Sequence, residues 1–309
     1  MSSLLSRTLS LVLAAAAVAT TGLAQAADAP APPRLYADST LVVRDRFSDE
    51  IIGSGPDLVF IPGLASSRET WKATADRLKG RYRLHLIQIA GFAGEAARAN
   101  ADGPVLTPTA EAIDAYLVEA KLTPATVIGH SLGGTTGLYI SERHPDDIRR
   151  LLIVDALPFF GALFAGPTAT PDKIRPMVEQ MKAGMMAGGA SAEAATRAQI
   201  AGMVTGVADT ERVIGWGKAS DHKVVAQAFA DDALLDMRAD LPRAKARIVV
   251  IYPDNVANGA PVGMMEKIYT TVFADLPDKG FVRADASKHF IMFDQPKLFA
   301  DALDRFLAP

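Results

Sequence analysis

The segment Gly129-His130-Ser131-Leu132-Gly133-Gly134 decides the fold class. An apolar run at 126–128 comes directly before it and predicts a short buried strand, and the run 135–143 after it has helical spacing. A G-x-S-x-G segment between a strand and a helix is typical of a sharp turn that exposes the serine, because the glycines remove side chains that would collide with neighbouring backbone. A tight turn with a helix-capping serine is the alternative interpretation.

Outward from this turn, short β-rich runs alternate with helical stretches. This alternation predicts an α/β fold with a doubly wound, mostly parallel sheet that is buried on both faces. The predicted strands lie at 39–44, 58–61, 82–89, 126–128, 151–154, 248–252 and 281–283, and the predicted helices at 111–120, 135–143, 264–273 and 296–307. No strand is predicted from Phe159 to Leu241, where Met and Phe recur at helical spacing. We therefore expect a core at 27–158 and 242–309, with a helical lid at 159–241 inserted between two core strands; a plain helical core is the alternative.

Composition excludes several classes of protein. Lys and Arg total 32 against 35 Asp and Glu, a net charge of −3, so no basic surface for nucleic acid is expected. The absence of cysteine excludes disulfides, thiolate metal sites and cysteine nucleophiles. The sequence has no His-x-x-x-His pair, no Asp-rich calcium loop and no phosphate-binding glycine loop followed by lysine, so it predicts neither a metal nor another cofactor.

Residues 1–26 have the pattern of a secretory signal peptide. Arg7 precedes an apolar run from Leu9 to Ala19, and Ala24-Gln25-Ala26 matches the small-x-small pattern of a cleavage site. The run is shorter than the roughly 20 residues that a membrane-spanning helix needs, although a membrane anchor or a buried helix is the alternative. We expect cleavage near Ala26, a periplasmic or secreted protein, and no membrane span in the mature chain.

Ser131 becomes a strong nucleophile only when a base removes its proton, and without cysteine that base is expected to be a histidine. Of the five histidines, His289 follows the last predicted strand on a loop, where a mobile base belongs. His130 adjoins the serine and suggests packing, and His144 at a helix end suggests a cap. His85 lies inside a predicted strand, and His222 lies in the predicted insertion. A tetrahedral intermediate also needs two hydrogen-bond donors, for which the backbone N–H groups of Leu132 and Leu64 are the candidates. An ordinary glycine turn is the alternative at Leu64.

These residues resemble the α/β-hydrolase superfamily, and within it serine hydrolases of the esterase or lipase type with a helical lid. The resemblance covers the chain from about Leu35 onward. The sequence departs from the family pattern at Pro62, where the family commonly has histidine. It rests on 129–134, on 60–67 with Trp71, and on His289-Phe290 with Asp294-Gln295-Pro296. It implies a small-molecule acyl substrate, such as a carboxylic ester, thioester or lactone, cleaved through an acyl-enzyme on Ser131 with His289 as general base. Amide or C–C bond hydrolysis and a non-catalytic binding protein are the alternatives.

The resemblance leaves open which carboxylate orients His289. One family position follows the strand 151–154, where Asp155 stands, and Asp155 is favoured. The other lies a few residues beyond 248–252, where Val256 falls on the acid position and Asp254 comes two residues early. In the lid, an adaptable apolar wall around the acyl group is expected from Phe159, Phe160, Phe164 and Met181. The oligomeric state and the natural substrate stay open.

Overall fold

The computed structural model describes residues 32–166, 168–187, 190–254 and 261–308. Within them, one sheet of eight strands has the order β1-β2-β4-β3-β5-β6-β7-β8. The strands are β1 (Thr40–Val43), β2 (Phe47–Gly53), β3 (Asp57–Ile61), β4 (Arg83–Ile89), β5 (Ala125–His130), β6 (Ile148–Val154), β7 (Arg247–Asp254) and β8 (Lys279–Asp285). The β1–β2 and β2–β4 pairs are antiparallel, and all other neighbouring strands are parallel. The predicted mostly parallel sheet is confirmed.

Helices cover both faces of this sheet. They are α1 (Lys72–Leu78), α2 (Leu106–Glu119), α3 (Leu132–Arg143), α9 (Met264–Val272), α10 (Ile291–Asp294) and α11 (Pro296–Leu307). One apolar cluster joins α2, α3 and α9 to the sheet, and a second joins α1 and α11 to its other face. Along β6, Leu151 and Ile153 belong to the first cluster whereas Leu152 and Val154 belong to the second. This alternation follows from the two-residue period of a strand and confirms the doubly wound arrangement.

Helices also occupy the chain between β6 and β7, which are neighbours in the sheet. They are α4 (Ala162–Ala165), α5 (Pro171–Ala187), α6 (Ala190–Ala201), α7 (Val207–Ala219) and α8 (His222–Leu234), and the described part of this segment contains no strand. A helical insertion between two core strands is thus present, while the exact borders 159 and 241 stay a prediction. None of the helices in the described residues combines the length and the apolar character that crossing a bilayer requires. The signal-peptide prediction concerns residues 1–26, which lie outside the described residues.

The sequence did not predict β2, because its segment Phe47-Ser48-Asp49-Glu50 has the composition of a turn. In the fold Ser48, Asp49 and Glu50 are completely buried. Asp49 accepts a hydrogen bond of 2.8 Å from Tyr116 Oη, and Glu50 lies 3.5 Å from the buried guanidinium of Arg68. Buried carboxylates are tolerated when such partners satisfy them, and these partners come from distant parts of the chain.

Helix α2 begins at Leu106, five residues before the predicted start at Glu111. Asp231 of α8 accepts hydrogen bonds from the backbone N–H groups of Val105 at 2.6 Å and Leu106 at 3.1 Å. A carboxylate at this position satisfies N–H groups that have no partner inside the helix. The cap is supplied by a residue more than a hundred positions away in sequence, so no local pattern could predict it.

Candidate active site

Ser131 lies in a sharp turn between β5 and α3. Its backbone has φ 52° and ψ −125°, a conformation that is unusual and costly for a residue with a side chain. A Cβ added at Gly129 would lie 2.3 Å from the carbonyl oxygen of Gly133, and one at Gly133 would lie 2.2 Å from the carbonyl oxygen of Ile61. The glycines therefore allow three pieces of backbone to meet around the serine. This is the strained strand-to-helix turn that the sequence predicts.

His289 and Asp155 meet beyond the carboxyl ends of β8 and β6. The imidazole Nδ1 of His289 lies 2.6 Å from Oδ2 of Asp155, and both side chains are largely buried. Asp155 directly follows β6, and its backbone N–H donates to the carbonyl oxygen of Ile251 at 2.8 Å, which fixes the residue after the strand. A carboxylate that accepts from Nδ1–H leaves Nε2 of His289 as the proton acceptor.

Asp254, the competing carboxylate, has other surroundings. It is the last residue of β7 and is 4% exposed. Its Oδ2 lies 3.8 Å from Nε of Arg283, and its Oδ1 has no hydrogen-bond partner among the described residues. His289 therefore contacts Asp155, the carboxylate that the sequence analysis favours, whereas Asp254 is paired with Arg283.

Tyr269 of α9 is a site residue that no sequence pattern predicted. Its hydroxyl donates a hydrogen bond to Oδ1 of Asp155, the oxygen that His289 does not use. Burial, together with the charge of Asp155, holds the pKa of the Tyr269 phenol well above its usual value, so the hydroxyl stays protonated and remains a donor. Both oxygens of Asp155 are thus held in place. Only the packing of α9 beside β7 brings Tyr269 there.

His130 was expected to be a packing residue, and it is completely buried behind the site. Its ring lies 4.5 Å from the ring of His289 and 4.7 Å from that of Phe290. Burial, helped by the nearby His289, lowers the pKa of His130 well below its usual value, so the ring is neutral. Its Nε2 donates to the backbone carbonyl of His289 at 3.2 Å. His130 therefore supports the loop that carries the candidate base.

The loop after β3 lies against the serine turn. A Cβ added at Gly63 would approach both the Cβ of Ser131 and Nδ1 of His130 to 3.0 Å, so the backbone passes close to the serine only because residue 63 is glycine. Leu64 follows this contact, and Leu132 opens α3, where backbone N–H groups have no carbonyl partner inside the helix. Both predicted oxyanion donors therefore lie on segments next to Ser131.

The predicted apolar wall is only partly assembled. Phe160 and Phe164 are partly buried, their ring centroids are 5.2 Å apart, and they pack on the same cluster as Leu64. Phe159 belongs to that cluster but is 1% exposed, so it contributes to its interior. Met181 is 38% exposed on α5 and is not part of this cluster, so packing gives no support to its predicted place in the pocket.

A residue that sequence reasoning missed, Asp232 of α8, lies near the site. Burial raises the pKa of its carboxyl to about 7, although a hydrogen bond from Thr135 and the charge of His289 act in the opposite direction. Thr135 is one helical turn beyond Ser131 on α3. An aspartate inside a helix gives no sequence signal for this position, because it arises only when α8 packs over α3.

Comparison with known proteins identifies the family and supports the fold. The model of the "Alpha/beta hydrolase family" matches residues 58–302. A hydrolase from Pseudomonas aeruginosa superimposes with a TM-score of 0.72 at 18% identity, covering 88% of this chain and 99% of that chain. An enol-lactonase from Burkholderia xenovorans superimposes with a TM-score of 0.68 at 16% identity, covering 84% of this chain and 96% of that chain. At these identities the solved structures support the fold alone.

Curated relatives match a shorter part of the chain. A pimeloyl-[acyl-carrier protein] methyl ester esterase from Aeromonas hydrophila is 33% identical over 137 residues, which are 44% of this chain and 52% of that protein. One from Vibrio vulnificus is 29% identical over 129 residues, which are 42% of this chain and 48% of that protein. The chain spans about half the length of these curated relatives. The family match is much longer, and by it the chain belongs to the alpha/beta hydrolase family.

Proposed function

We propose that this chain is an exported serine hydrolase that cleaves a carboxylic ester, a thioester or a lactone of a small molecule. The observation that carries the proposal is the 2.6 Å contact between His289 and Asp155 beside the strained turn of Ser131. Membership of the alpha/beta hydrolase family and the methyl ester esterase names of the curated relatives support the same reaction class.

In the proposed mechanism, His289 Nε2 takes the proton of the Ser131 hydroxyl as Oγ attacks the carbonyl carbon. Asp155 keeps the Nδ1–H tautomer and stabilises the imidazolium that forms. The backbone N–H groups of Leu132 and Leu64 donate to the oxyanion of the tetrahedral intermediate. His289 then returns the proton to the leaving alkoxide, which leaves an acyl group on Ser131. A water molecule activated by the same histidine releases the acid and restores the serine.

The neighbours of the triad have supporting roles in this mechanism. Tyr269 limits the rotation of the Asp155 carboxylate by holding its second oxygen. His130 is neutral, so its ring can lie 4.5 Å from that of His289 without opposing the positive charge that develops there during catalysis. Phe160 and Phe164 offer an apolar surface next to Leu64 for the acyl group.

The deciding experiment combines labelling with turnover. The folded protein is treated with a fluorophosphonate probe, and hydrolysis is measured on p-nitrophenyl esters beside lactones, thioesters and amides. We expect one label, on Ser131, and ester hydrolysis that the label abolishes. Ser131→Ala, with its folding checked by circular dichroism, is the control and should neither label nor turn over.

Other results would replace the proposal with a named alternative. Labelling at Ser131 with turnover of amides but not esters would favour an amidase. A folded wild-type chain that neither labels nor hydrolyses any substrate would favour a non-catalytic binding protein. Export is tested separately by sequencing the amino terminus of protein from the periplasm or medium, where the first residue should be Ala27.

A further inference from the structure

A second group of ionisable side chains lies at the opposite end of α3 from Ser131. Asp114 of α2, His144 at the carboxyl end of α3 and Asp147 in the following loop each offer one ligand atom, and these three atoms lie within 4.8 Å of one another. Since α3 has 12 residues, about 18 Å of helix separates this group from the serine turn. The cluster therefore has no part in the proposed ester hydrolysis.

The orientation of the His144 ring is fixed from outside the cluster. Its Nε2 lies 2.9 Å from Oε2 of Glu111, while Oε1 of the same carboxylate accepts from the Tyr139 hydroxyl at 2.9 Å. A histidine whose Nε2–H donates to a carboxylate presents the lone pair of Nδ1 on its other side. This carboxylate–histidine arrangement is the usual support of a metal-bound imidazole.

The other side of that ring faces Asp114. Nδ1 of His144 lies 3.6 Å from Oδ2 of Asp114, which is too long for a hydrogen bond. It is close to the separation of about 3.4 Å between two ligand atoms on a tetrahedral zinc ion, given bonds of about 2.0–2.1 Å. A lone pair and a carboxylate that face each other at this distance are repulsive unless a cation or a proton lies between them.

Asp114 gives an independent indication of a ligand. Its side chain is 8% exposed, and its Oδ1 has no hydrogen-bond partner among the described residues. Its ligand oxygen also lies within 4.8 Å of a carboxylate oxygen of Asp147, a second acidic group. A buried carboxylate surrounded by like charges is stabilised when a bound cation neutralises it.

From this geometry we propose that Asp114, His144 and Asp147 bind one divalent transition-metal ion, such as zinc. Two carboxylate oxygens and one imidazole nitrogen suit such an ion, with water completing its coordination. His144 and Asp147 are partly exposed, so an ion can enter from solvent. The ion would join α2, the end of α3 and the loop whose Asp147 carbonyl accepts from Ala125 N at 2.7 Å. Its role is to stabilise the fold.

The test uses the full chain without a histidine tag, stripped of metal with a chelator. Zinc is titrated by isothermal calorimetry, and the melting temperature is measured with and without zinc. We expect one zinc per chain, a higher melting temperature with zinc, and ester hydrolysis that the chelator leaves unchanged. Asp114→Asn and His144→Gln should each weaken binding by at least about 100-fold, and Glu111→Gln by about 10- to 100-fold.

Asp146→Asn is the matched control. Asp146 belongs to the same turn, is 82% exposed and pairs with Nζ of Lys245 at 2.8 Å, so its loss should leave zinc affinity unchanged. If Asp114→Asn failed to fold, the partly exposed Asp147→Asn would test the same ligand set. Equal zinc affinity in the wild type and the ligand variants would overturn the proposal, as would a dissociation constant above about 1 mM. Neither result bears on the reaction at Ser131.

Discussion

The hydroxyl of Tyr269 donates a hydrogen bond to Asp155 on the oxygen opposite His289, so the carboxylate is held from two sides. This contact joins α9 to the end of β6. It fixes the plane of the carboxylate, and through it the orientation of the His289 ring.

Replacing Tyr269 by phenylalanine should therefore lower kcat while leaving KM nearly unchanged. A hydrogen bond to a charged group contributes about 1.5–3 kcal/mol. If only part of this free energy is lost from the stabilisation of the transition state, kcat falls by about 5- to 20-fold. The measurement is steady-state hydrolysis of a p-nitrophenyl ester. Tyr252→Phe is the control, because the Tyr252 ring stacks on Tyr269 at 4.8 Å and the change removes only its hydroxyl. Equal effects of the two changes would contradict a positioning role for Tyr269.

The two carboxylates that the sequence left in competition are separated by single substitutions. Asp155→Asn should reduce kcat by about 10³- to 10⁴-fold, because the amide stabilises the wrong tautomer of His289. Asp254→Asn should stay within a few-fold of the wild type, since Asp254 pairs with Arg283 instead. Near-normal turnover by Asp155→Asn together with a collapse of Asp254→Asn would reverse the assignment.

The glycines of the serine turn should not tolerate a methyl group. In Gly133→Ala the new Cβ would lie 2.2 Å from the backbone oxygen of Ile61, which cannot move without shifting β3. We expect the free energy of unfolding to fall by about 1–3 kcal/mol, as in other overpacked cores. Gly184→Ala in α5 is the control. A Cβ there meets nothing within 4 Å, so it should stabilise the chain by about 0.4–1 kcal/mol in urea unfolding. A stable Gly133→Ala would show that the backbone contact is not tight.

The buried Glu142 of α3 should make stability depend on pH. Burial, strengthened by the charge of Asp240, raises the pKa of its carboxyl to about 8 against the opposing charges of Arg143 and Arg243. The pKa of Glu142 in the folded chain lies above its value in the unfolded chain. The contribution of the protonated Glu142 to the free energy of unfolding is therefore fully present below about pH 4.5 and is lost as pH rises toward 8.

Glu142→Gln removes this titration. Its melting temperature should exceed that of the wild type increasingly from pH 5 to pH 9. Glu119→Gln changes an exposed carboxylate paired with Arg44 and should show no such trend. A difference between Glu142→Gln and the wild type that does not vary with pH would exclude a raised pKa at Glu142.

The insertion should limit the length of the acyl chain. Phe160, Phe164 and Phe229 pack with ring centroids 5.2–6.4 Å apart in a small cluster that also contacts Leu64. We expect kcat/KM on p-nitrophenyl esters to peak at short to medium acyl chains and to fall for long ones. Phe164→Ala should move the peak to longer chains, whereas Met181→Ala, which changes an exposed side chain, should not. A wild-type maximum on very long chains would contradict this reading of the cluster.

The sequence by itself determined the features that depend on local patterns. Alternating apolar runs predicted the sheet and most of its strands, and the glycines at 129 and 133 predicted the serine turn, because only a residue without a side chain fits there. The loop position of His289 and the strand-end position of Asp155 followed from the same patterns. These properties involve neighbours in sequence, so one pass along the chain can detect them.

Only the tertiary structure decided the rest. Asp155 and His289 are 134 positions apart, and the adjacent strands β6, β7 and β8 bring them together while Asp254 is left with Arg283. The buried acidic strand β2 and the Asp231 cap of α2 depend equally on distant partners. A hydrogen bond or an ion pair forms wherever two groups come close in space. Residue identity and spacing predict such a contact only when the two residues are close in sequence.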